Sequence, residues 1–219
     1  MNVRSPSRLD AAGALPPFAA AFDALVARVG AATPPEKMAA LHRAFERRTG
    51  AFGPDDPWFE SRSRAFWDDT MTRQQATQGI LDVLDGGERL WAAALPSSHR
   101  GLFHSRIEDG VLVLSDVLRG GDLVVHEVDE ASRDALGSTA GLFDGTVVAL
   151  RSPVRLALLP GAIFHPEEAE DAIGLVVAAA RTRSLPDDAV LDALLRMELS
   201  LRTLSRVKPG YAYRVGALG

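Results

Sequence analysis

The carboxylates and aromatic rings of residues 55–69 are the first group that could do chemistry. Paired carboxylates act as general acid and base or hold a divalent metal ion, and rings beside them form a recognition surface. On a helix, however, adjacent carboxylates point about 100° apart, and a spacing of eight residues separates Glu60 from Asp68 by about 12 Å. A helix start anchored by aromatic rings is the simpler interpretation, so we name no catalytic residue. The residues predicted to bind a partner here are Trp58, Glu60, Trp67, Asp68 and Asp69.

The basic C-terminus is the second candidate. Tyrosines that alternate with cations stack on bases and contact phosphates, an arrangement typical of proteins that bind single-stranded nucleic acid. Cations in the last turns of a helix also suit its dipole, and the tyrosines can equally clamp the tail onto the core. Both interpretations stay open at the level of sequence. The residues concerned are Arg202, Arg206, Lys208, Tyr211, Tyr213 and Arg214.

Other catalytic motifs are missing or incomplete. Residues 137–141 resemble a nucleophile elbow, but the third position is Thr139 instead of serine. No phosphate-binding glycine loop occurs, and the five histidines form no HExxH motif or H-x₃-H pair. The absence of cysteine excludes disulfides and thiolate-bound metals. We therefore predict no cofactor, no metal site and no cavity lined by catalytic groups.

Composition restricts the class of protein. The net charge of −5 argues weakly against a dedicated nucleic-acid binder. Arginine accounts for 22 of the 24 basic residues, a bias typical of GC-rich bacterial genes, so a single arginine is weak evidence for anion recognition. The longest apolar run, Leu175–Ala180, is far shorter than the ~20 residues that span a bilayer. No apolar signal segment follows Met1–Asp10. We predict a soluble bacterial protein of the cytoplasm that binds no membrane.

Helical spacing predicts four short amphipathic helices within residues 17–86. Capping boxes are predicted at residues 33–36 and 72–75, and Gly86-Gly87 is predicted to end the fourth helix. Residues 88–95 fit either a helix or a strand. Two further helices are predicted after His165-Pro166 and after residues 184–188.

The pattern in the middle of the chain predicts an antiparallel β-meander. Apolar and polar residues alternate before Asp109-Gly110, a dipeptide typical of tight hairpins. A polar excursion over residues 129–140 has helical character, and Ser152-Pro153 marks a further turn. Five strands within about sixty residues favour a small barrel or curled sheet. The predicted strands are 103–108, 111–117, 123–128, 146–151 and 154–159.

These elements predict an α+β protein with helices packed around a small antiparallel β-barrel or curled sheet. The N-terminal helical region covers residues 1–87, the β-meander 88–165, and the C-terminal helical region with its tail 166–219. Because no internal repeat or long linker separates them, we expect one structural unit.

Residues 101–214 resemble an arrangement found in uncharacterised bacterial proteins, in which a small β-meander is flanked by helices. The segments that carry the resemblance are Val111–Val117 with Gly120-Gly121, Leu159–Pro166 and Arg206–Arg214. Such proteins have no established activity, so the resemblance implies a fold and no site residue.

The leading functional hypothesis is a non-catalytic interaction or adaptor module whose partner is another protein. The first alternative is nucleic-acid binding through the small barrel and the basic tail. The second is a hydrolase that uses the carboxylates of residues 55–69 with a metal such as Mg²⁺. The sequence does not indicate an oligomeric state.

Overall fold

The computed structural model describes residues 17–138, 141–151, 154–204 and 207–218. The α-helices are α1 Phe18–Ala32, α2 Pro35–Thr49, α3 Phe59–Thr72, α4 Gly86–Ala94, α5 Glu130–Ser138, α6 Glu170–Thr182, α7 Asp187–Thr203 and α8 Pro209–Ala212. Short 3-10 helices cover Ala76–Val83, Leu95–Ser97, Glu167–Ala169 and Val215–Ala217. The strands are β1 His99–Glu108, β2 Val111–Asp116, β3 Asp122–Val125, β4 Phe143–Arg151, β5 Val154–Leu158 and β6 Ile163–Phe164. No helix of these ranges has the length and apolar character needed to cross a bilayer.

The strands form one curled antiparallel sheet in the order β3-β2-β1-β4-β5, and β6 pairs with the start of β4. The chain beyond β3 turns back toward β5, where Glu127 forms a parallel bridge with Ala157. The sheet therefore curls into a half-barrel, and the predicted α+β fold with a curled antiparallel sheet is confirmed.

The β1–β2 hairpin turns at Asp109-Gly110, as predicted. Both residues have positive φ, +51° and +80°, which is the conformation that a two-residue type I′ turn requires. Because the turn fixes the register, Glu108 faces Val111 and the alternation of apolar residues continues through both strands.

The two faces of the sheet bury different clusters. Phe103, Leu114 and Phe143 point into the half-barrel, and Leu136 of α5 packs against them. On the outer face, the apolar residues of β4 and β5 pack under α1 and α4. Leu102, also on the outer face, packs against α6 and α7. The adjacent outward positions of β1 and β4 carry polar residues, which leaves room for a polar site between the sheet and its helices.

The region around Gly86-Gly87 differs from the prediction. The two glycines begin α4 and do not end a helix, because the Asp85 side chain accepts a hydrogen bond from the backbone N–H of Glu88 at 3.0 Å. The undecided residues 88–95 are therefore helical as far as Ala94.

Both predicted capping boxes are wrong. Thr72 lies inside α3, where its hydroxyl donates to the carbonyl of Asp68 at 2.6 Å, and a 3-10 helix follows it after Gln75. Pro34, not Thr33, occupies the N-cap position of α2 and makes no side-chain cap. The turn predicted at Ser152-Pro153 lies outside the described residues.

Candidate functional site

A polar cavity of about 240 Å³ lies between the outer face of β1 and β4 and the helices α3 and α7. This volume is just below the ~300–1,000 Å³ usual for small-molecule sites, so a ligand would have to be small. The polar or charged lining residues are Asp68, Asp69, Thr72, Arg73, Ser98, Arg100, Arg119, Asp144, Thr146 and Asp188.

Asp68 lines the cavity, and one of its two carboxyl oxygens has no hydrogen-bond partner among the described residues. It projects from α3 and is only 5% exposed. Its Oδ2 accepts a hydrogen bond from the backbone N–H of Gly161 at 2.9 Å, whereas Oδ1 is buried and has no partner among the described residues. Burial raises the pKa of Asp68 well above its ordinary value, against a lowering contribution from the Gly161 N–H. The site therefore favours a neutral carboxyl that can donate and accept hydrogen bonds.

Gly161 makes the position of Asp68 possible. A β-carbon at this glycine would lie 2.5 Å from Asp68 Oδ2 and 2.8 Å from the Cα of Ala65. Only a residue without a side chain allows the segment before β6 to approach α3 this closely. The contact fixes both the rotamer of the carboxyl and the distance between helix and sheet.

Arg100 forms the floor of the charged network. Its Nε and one terminal nitrogen donate to the two carboxylate oxygens of Asp144 at 3.0 and 2.6 Å, a bidentate pair across β1 and β4. Its other terminal nitrogen donates to Asp192 on α7 at 2.7 Å. Burial raises the pKa of Asp144, although Arg100 works in the opposite direction.

Asp192 is the centre of this network. It accepts hydrogen bonds from Arg48 of α2 at 3.1 and 3.2 Å, from Arg73 after α3 at 3.0 Å and from Arg100 of β1. Burial opposes its ionisation, but the three guanidinium groups, Arg100 first, outweigh burial and lower the pKa of Asp192. The remaining bonds of Arg48 and Arg73 go to Asp69 at 2.6 Å and Asp188 at 3.0 Å.

Arg119 lies at the exposed side of the cavity. Its Nε donates to Asp187 at 2.7 Å, and a terminal nitrogen donates to Nδ1 of His99 at 2.6 Å. A guanidinium has no acceptor, so the proton of the neutral imidazole is on Nε2, which donates to Asp116 at 2.6 Å. Each arginine that lines the cavity therefore already has a carboxylate partner.

Three groups in the lining have no hydrogen-bond partner among the described residues. They are the Oδ1 of Asp68 and the hydroxyl groups of Ser98 and Thr146. The cavity thus combines compensated charges in its walls with a carboxyl and two hydroxyl groups free to bind. This arrangement suits hydrogen bonding to a ligand.

Of the predicted binding residues that the structure describes, Asp68 and Asp69 line this cavity. They diverge as expected, since Asp69 pairs with Arg48 while Asp68 contacts Gly161. Glu60 is exposed and pairs with Arg64 on the next turn at 2.7 Å. Two predicted residues lie elsewhere: the indole N–H of Trp58 is buried without a partner in the described residues, and Trp67 lines another groove.

The predicted C-terminal residues do not form one surface. Tyr213 is 2% exposed, and its hydroxyl is hydrogen-bonded to Nδ1 of His165 at 2.7 Å, whereas Tyr211 is 71% exposed. Arg202 pairs with Glu198, which also binds the buried Arg62. Lys208 and Arg214 are exposed, and Arg206 lies outside the described residues. Tyr213 thus holds the tail against the core and is unavailable for stacking on bases.

The rest of the cavity was not predicted from the sequence. Arg100 lies 44 residues from Asp144 and 92 residues from Asp192, so no local motif links them. Because arginine is abundant in the sequence, its composition does not single out Arg100. One sequence feature could have indicated the site. Arg100, Asp144 and Thr146 are polar, yet they occupy outward positions of paired strands that helices cover. Such positions are usually apolar.

Comparison with known protein families, with curated proteins and with solved structures found no match to this chain. Within the described ranges, no three histidine, aspartate or glutamate side chains converge as ligands for a metal ion. The functional argument therefore rests on the geometry of the cavity.

Proposed function

We propose that the protein binds a small uncharged polar molecule in the cavity between the sheet and helices α3 and α7. The observation that carries the proposal is the buried Oδ1 of Asp68, which has no partner in the described part of the chain. A buried polar atom without a hydrogen bond costs about 1–3 kcal/mol. A ligand that bonds to this atom would recover that cost, and the hydroxyls of Ser98 and Thr146 supply further contacts.

The compensated charges support an uncharged ligand. A phosphate or carboxylate would have to draw Arg73, Arg100 or Arg119 away from its present carboxylate partners. The pairs of Arg73 with Asp188 and of Arg119 with Asp187 are partly exposed and cost little to separate. Separating the buried pair of Arg100 and Asp144 costs about 3–5 kcal/mol, which a single new pair in a small site does not offset. Vicinal hydroxyl groups or an amide, by contrast, match a carboxyl and two hydroxyl groups without breaking any pair.

The proposal keeps the non-catalytic character expected from the sequence and gives the protein a small-molecule ligand. The protein partner, the nucleic-acid alternative and the metal-dependent hydrolase stay predictions, and no feature of the cavity favours them. The arginine-rich composition supports a bacterial source, and we place the binding in the cytoplasm as part of the same proposal.

Matched sets of small molecules test the charge preference. The sets are D-glucose with gluconate and glucosamine, and nicotinamide with nicotinate, with binding measured by saturation-transfer NMR and calorimetry. We expect an uncharged member to bind and its charged counterparts to bind at least about tenfold more weakly, because they disturb the ion pairs. Tighter binding of the charged members, or no binding of any member, would contradict the proposal.

Two variants test the role of Asp68. Asp68→Ala removes the free carboxyl oxygen and is expected to abolish binding of whichever probe the wild type takes. Glu60→Gln lies on the same helix but outside the cavity, and its exposed pair with Arg64 contributes little. It is expected to bind like the wild type. Equal affinity of the wild type and Asp68→Ala would remove this residue from the site.

A further inference from the structure

A second cavity, of about 580 Å³, lies along another face of α3. Its volume falls in the range of small-molecule sites. Trp67 lines it from α3, immediately before Asp68, which lines the polar cavity. The apolar lining residues are Phe18, Phe22, Val26, Trp67, Leu158 and Pro160. We call this cavity the aromatic groove.

The polar lining of the aromatic groove is mostly acidic. Four carboxylates lie beside one guanidinium, that of Arg64, and this group is already paired with Glu60 at 2.7 Å. Asp23 and Glu130 are exposed and form no ion pair within the described residues. The described lining therefore carries more carboxylates than guanidinium groups, next to apolar surface. The carboxylates are those of Asp23, Asp129, Glu130 and Asp134.

Asp129 also has a carboxylate oxygen without a hydrogen-bond partner among the described residues. Its Oδ1 accepts a hydrogen bond from the backbone N–H of Ser132 at 2.9 Å, at the start of α5. Its Oδ2 is buried and has no partner among the described residues. One oxygen thus caps the helix, and the other keeps its capacity to accept a hydrogen bond.

We propose that the aromatic groove binds a small organic cation with an apolar body, such as an aryl- or alkylammonium ion. The apolar body would displace water from the partly exposed side chains of Trp67, Val26 and Pro160, since burial of apolar surface is favourable. The ammonium group would lie between the carboxylates, where charge attraction and contact with aromatic faces act together. The site is independent of the uncharged ligand proposed above.

Three probes with the same apolar body test the charge requirement. They are 4-phenylbutylammonium, 4-phenylbutanol and 4-phenylbutyrate, each titrated into the full chain by calorimetry at low and physiological salt. We expect the cation to bind about tenfold more tightly than the alcohol, and the carboxylate to bind most weakly. Salt should weaken binding of the cation more than that of the alcohol. Equal affinities for cation and alcohol, or no binding of the cation, would overturn the proposal.

Charge changes at the edge of the groove give effects of opposite sign. Asp23→Asn should weaken binding of 4-phenylbutylammonium about two- to fivefold, and Arg64→Gln should tighten it by a similar factor. Asp171→Asn, an exposed change on α6 outside the groove, serves as the matched control and should have no effect. Since all three positions are at least half-exposed or on helix surfaces, the variants should fold, which circular dichroism checks. Unchanged affinity in both Asp23→Asn and Arg64→Gln would show that the carboxylates do not hold the cation.

Discussion

Asp68 and His165 are buried ionisable residues, and in each of them one polar atom has no partner among the described residues. Burial has opposite consequences for the pKa of an acid and of a base, because in both cases it disfavours the charged form. It raises the pKa of Asp68 and, together with the nearby Arg62 and Arg202, lowers the pKa of His165 to about 3. Both residues therefore favour the neutral state, and their protonation is linked to folding with opposite signs.

For His165 the linkage predicts a loss of stability in acid. In the unfolded chain the imidazole takes up a proton as the pH falls below about 6.5, whereas in the folded protein it stays neutral down to about pH 3. Between these values the unfolded state binds more protons, so His165 lowers the free energy of unfolding by roughly 3 kcal/mol from pH 7 to pH 4. In urea denaturation, the free energy of unfolding should fall from pH 7 to pH 4 by roughly 3 kcal/mol more in the wild type than in His165→Gln.

The difference between the wild type and His165→Gln removes the contributions of the other titrating groups. The raised pKa values of Asp68 and Asp144 give a slope of the opposite sign, but both carboxyls are present in the variant and cancel in the difference. An unchanged slope in His165→Gln would mean that this imidazole is accessible to protons in the folded state.

At the scale of elements, α3 separates the polar cavity from the aromatic groove. Its consecutive residues Trp67 and Asp68 line different cavities because adjacent side chains on a helix diverge by about 100°. The segment between β5 and β6 does the same, with Pro160 in the groove and Gly161 in the polar cavity. The spacing between these two segments therefore determines the shape of both sites.

Gly161→Ala tests this spacing. The added methyl group would overlap Asp68 and the backbone of α3, so we expect a loss of about 1–3 kcal/mol in the free energy of unfolding and weaker binding in the polar cavity. Gly174→Ala is the matched control, because its Cβ would meet nothing within 4 Å inside α6. There alanine should stabilise the protein by up to ~1 kcal/mol. Chemical denaturation measures both effects, and an equally tolerated Gly161→Ala would contradict the close approach.

Elements whose cause is local could be predicted from the sequence. The hairpin at Asp109-Gly110 is one, because two residues with positive φ are enough to specify the turn. The glycines at 86–87 misled the prediction because the Asp85 side chain caps the helix that they begin. Thr72 misled it because its hydroxyl donates to the carbonyl of Asp68, which makes it the last residue of α3 and not the cap of a new helix.

The candidate site depends on contacts that local sequence does not specify. Asp68 was singled out from the carboxylates of its segment, but its partner Gly161 is supplied by a distant part of the fold. Arg100, Asp144 and Asp192 meet only after the sheet has curled and α7 has packed on it. The sequence alone therefore indicated Asp68 but not the ion pairs of Arg100 with Asp144 and Asp192 beside it.

Across the whole molecule, Asp192 joins the helical layers to the sheet. Its three arginine partners come from α2, from the end of α3 and from β1, up to 144 residues away in the sequence. Each of these arginines also pairs with a second carboxylate, Asp69, Asp188 or Asp144, but Asp192 is the carboxylate that all three contact.

Asp192→Asn is expected to lower the free energy of unfolding by about 3–5 kcal/mol, since it breaks buried ion pairs and keeps the side-chain shape. Asp188→Asn removes a carboxylate one turn earlier that contacts Arg73 but is 52% exposed, and should cost at most about 1 kcal/mol. Urea denaturation at neutral pH measures both. Similar values for the two variants would show that the network is solvated and does not join the layers.

The contact between Asp68 and Gly161 also has a meaning for evolution. The two positions are 93 residues apart, and neither can change freely while the other stays. A larger side chain at the second position would push the acid out and would also meet the Cα of Ala65, so the glycine is needed wherever the acid is kept. We expect the pair to be inherited or lost together, so a search that requires both at once can recognise distant relatives whose overall identity has faded.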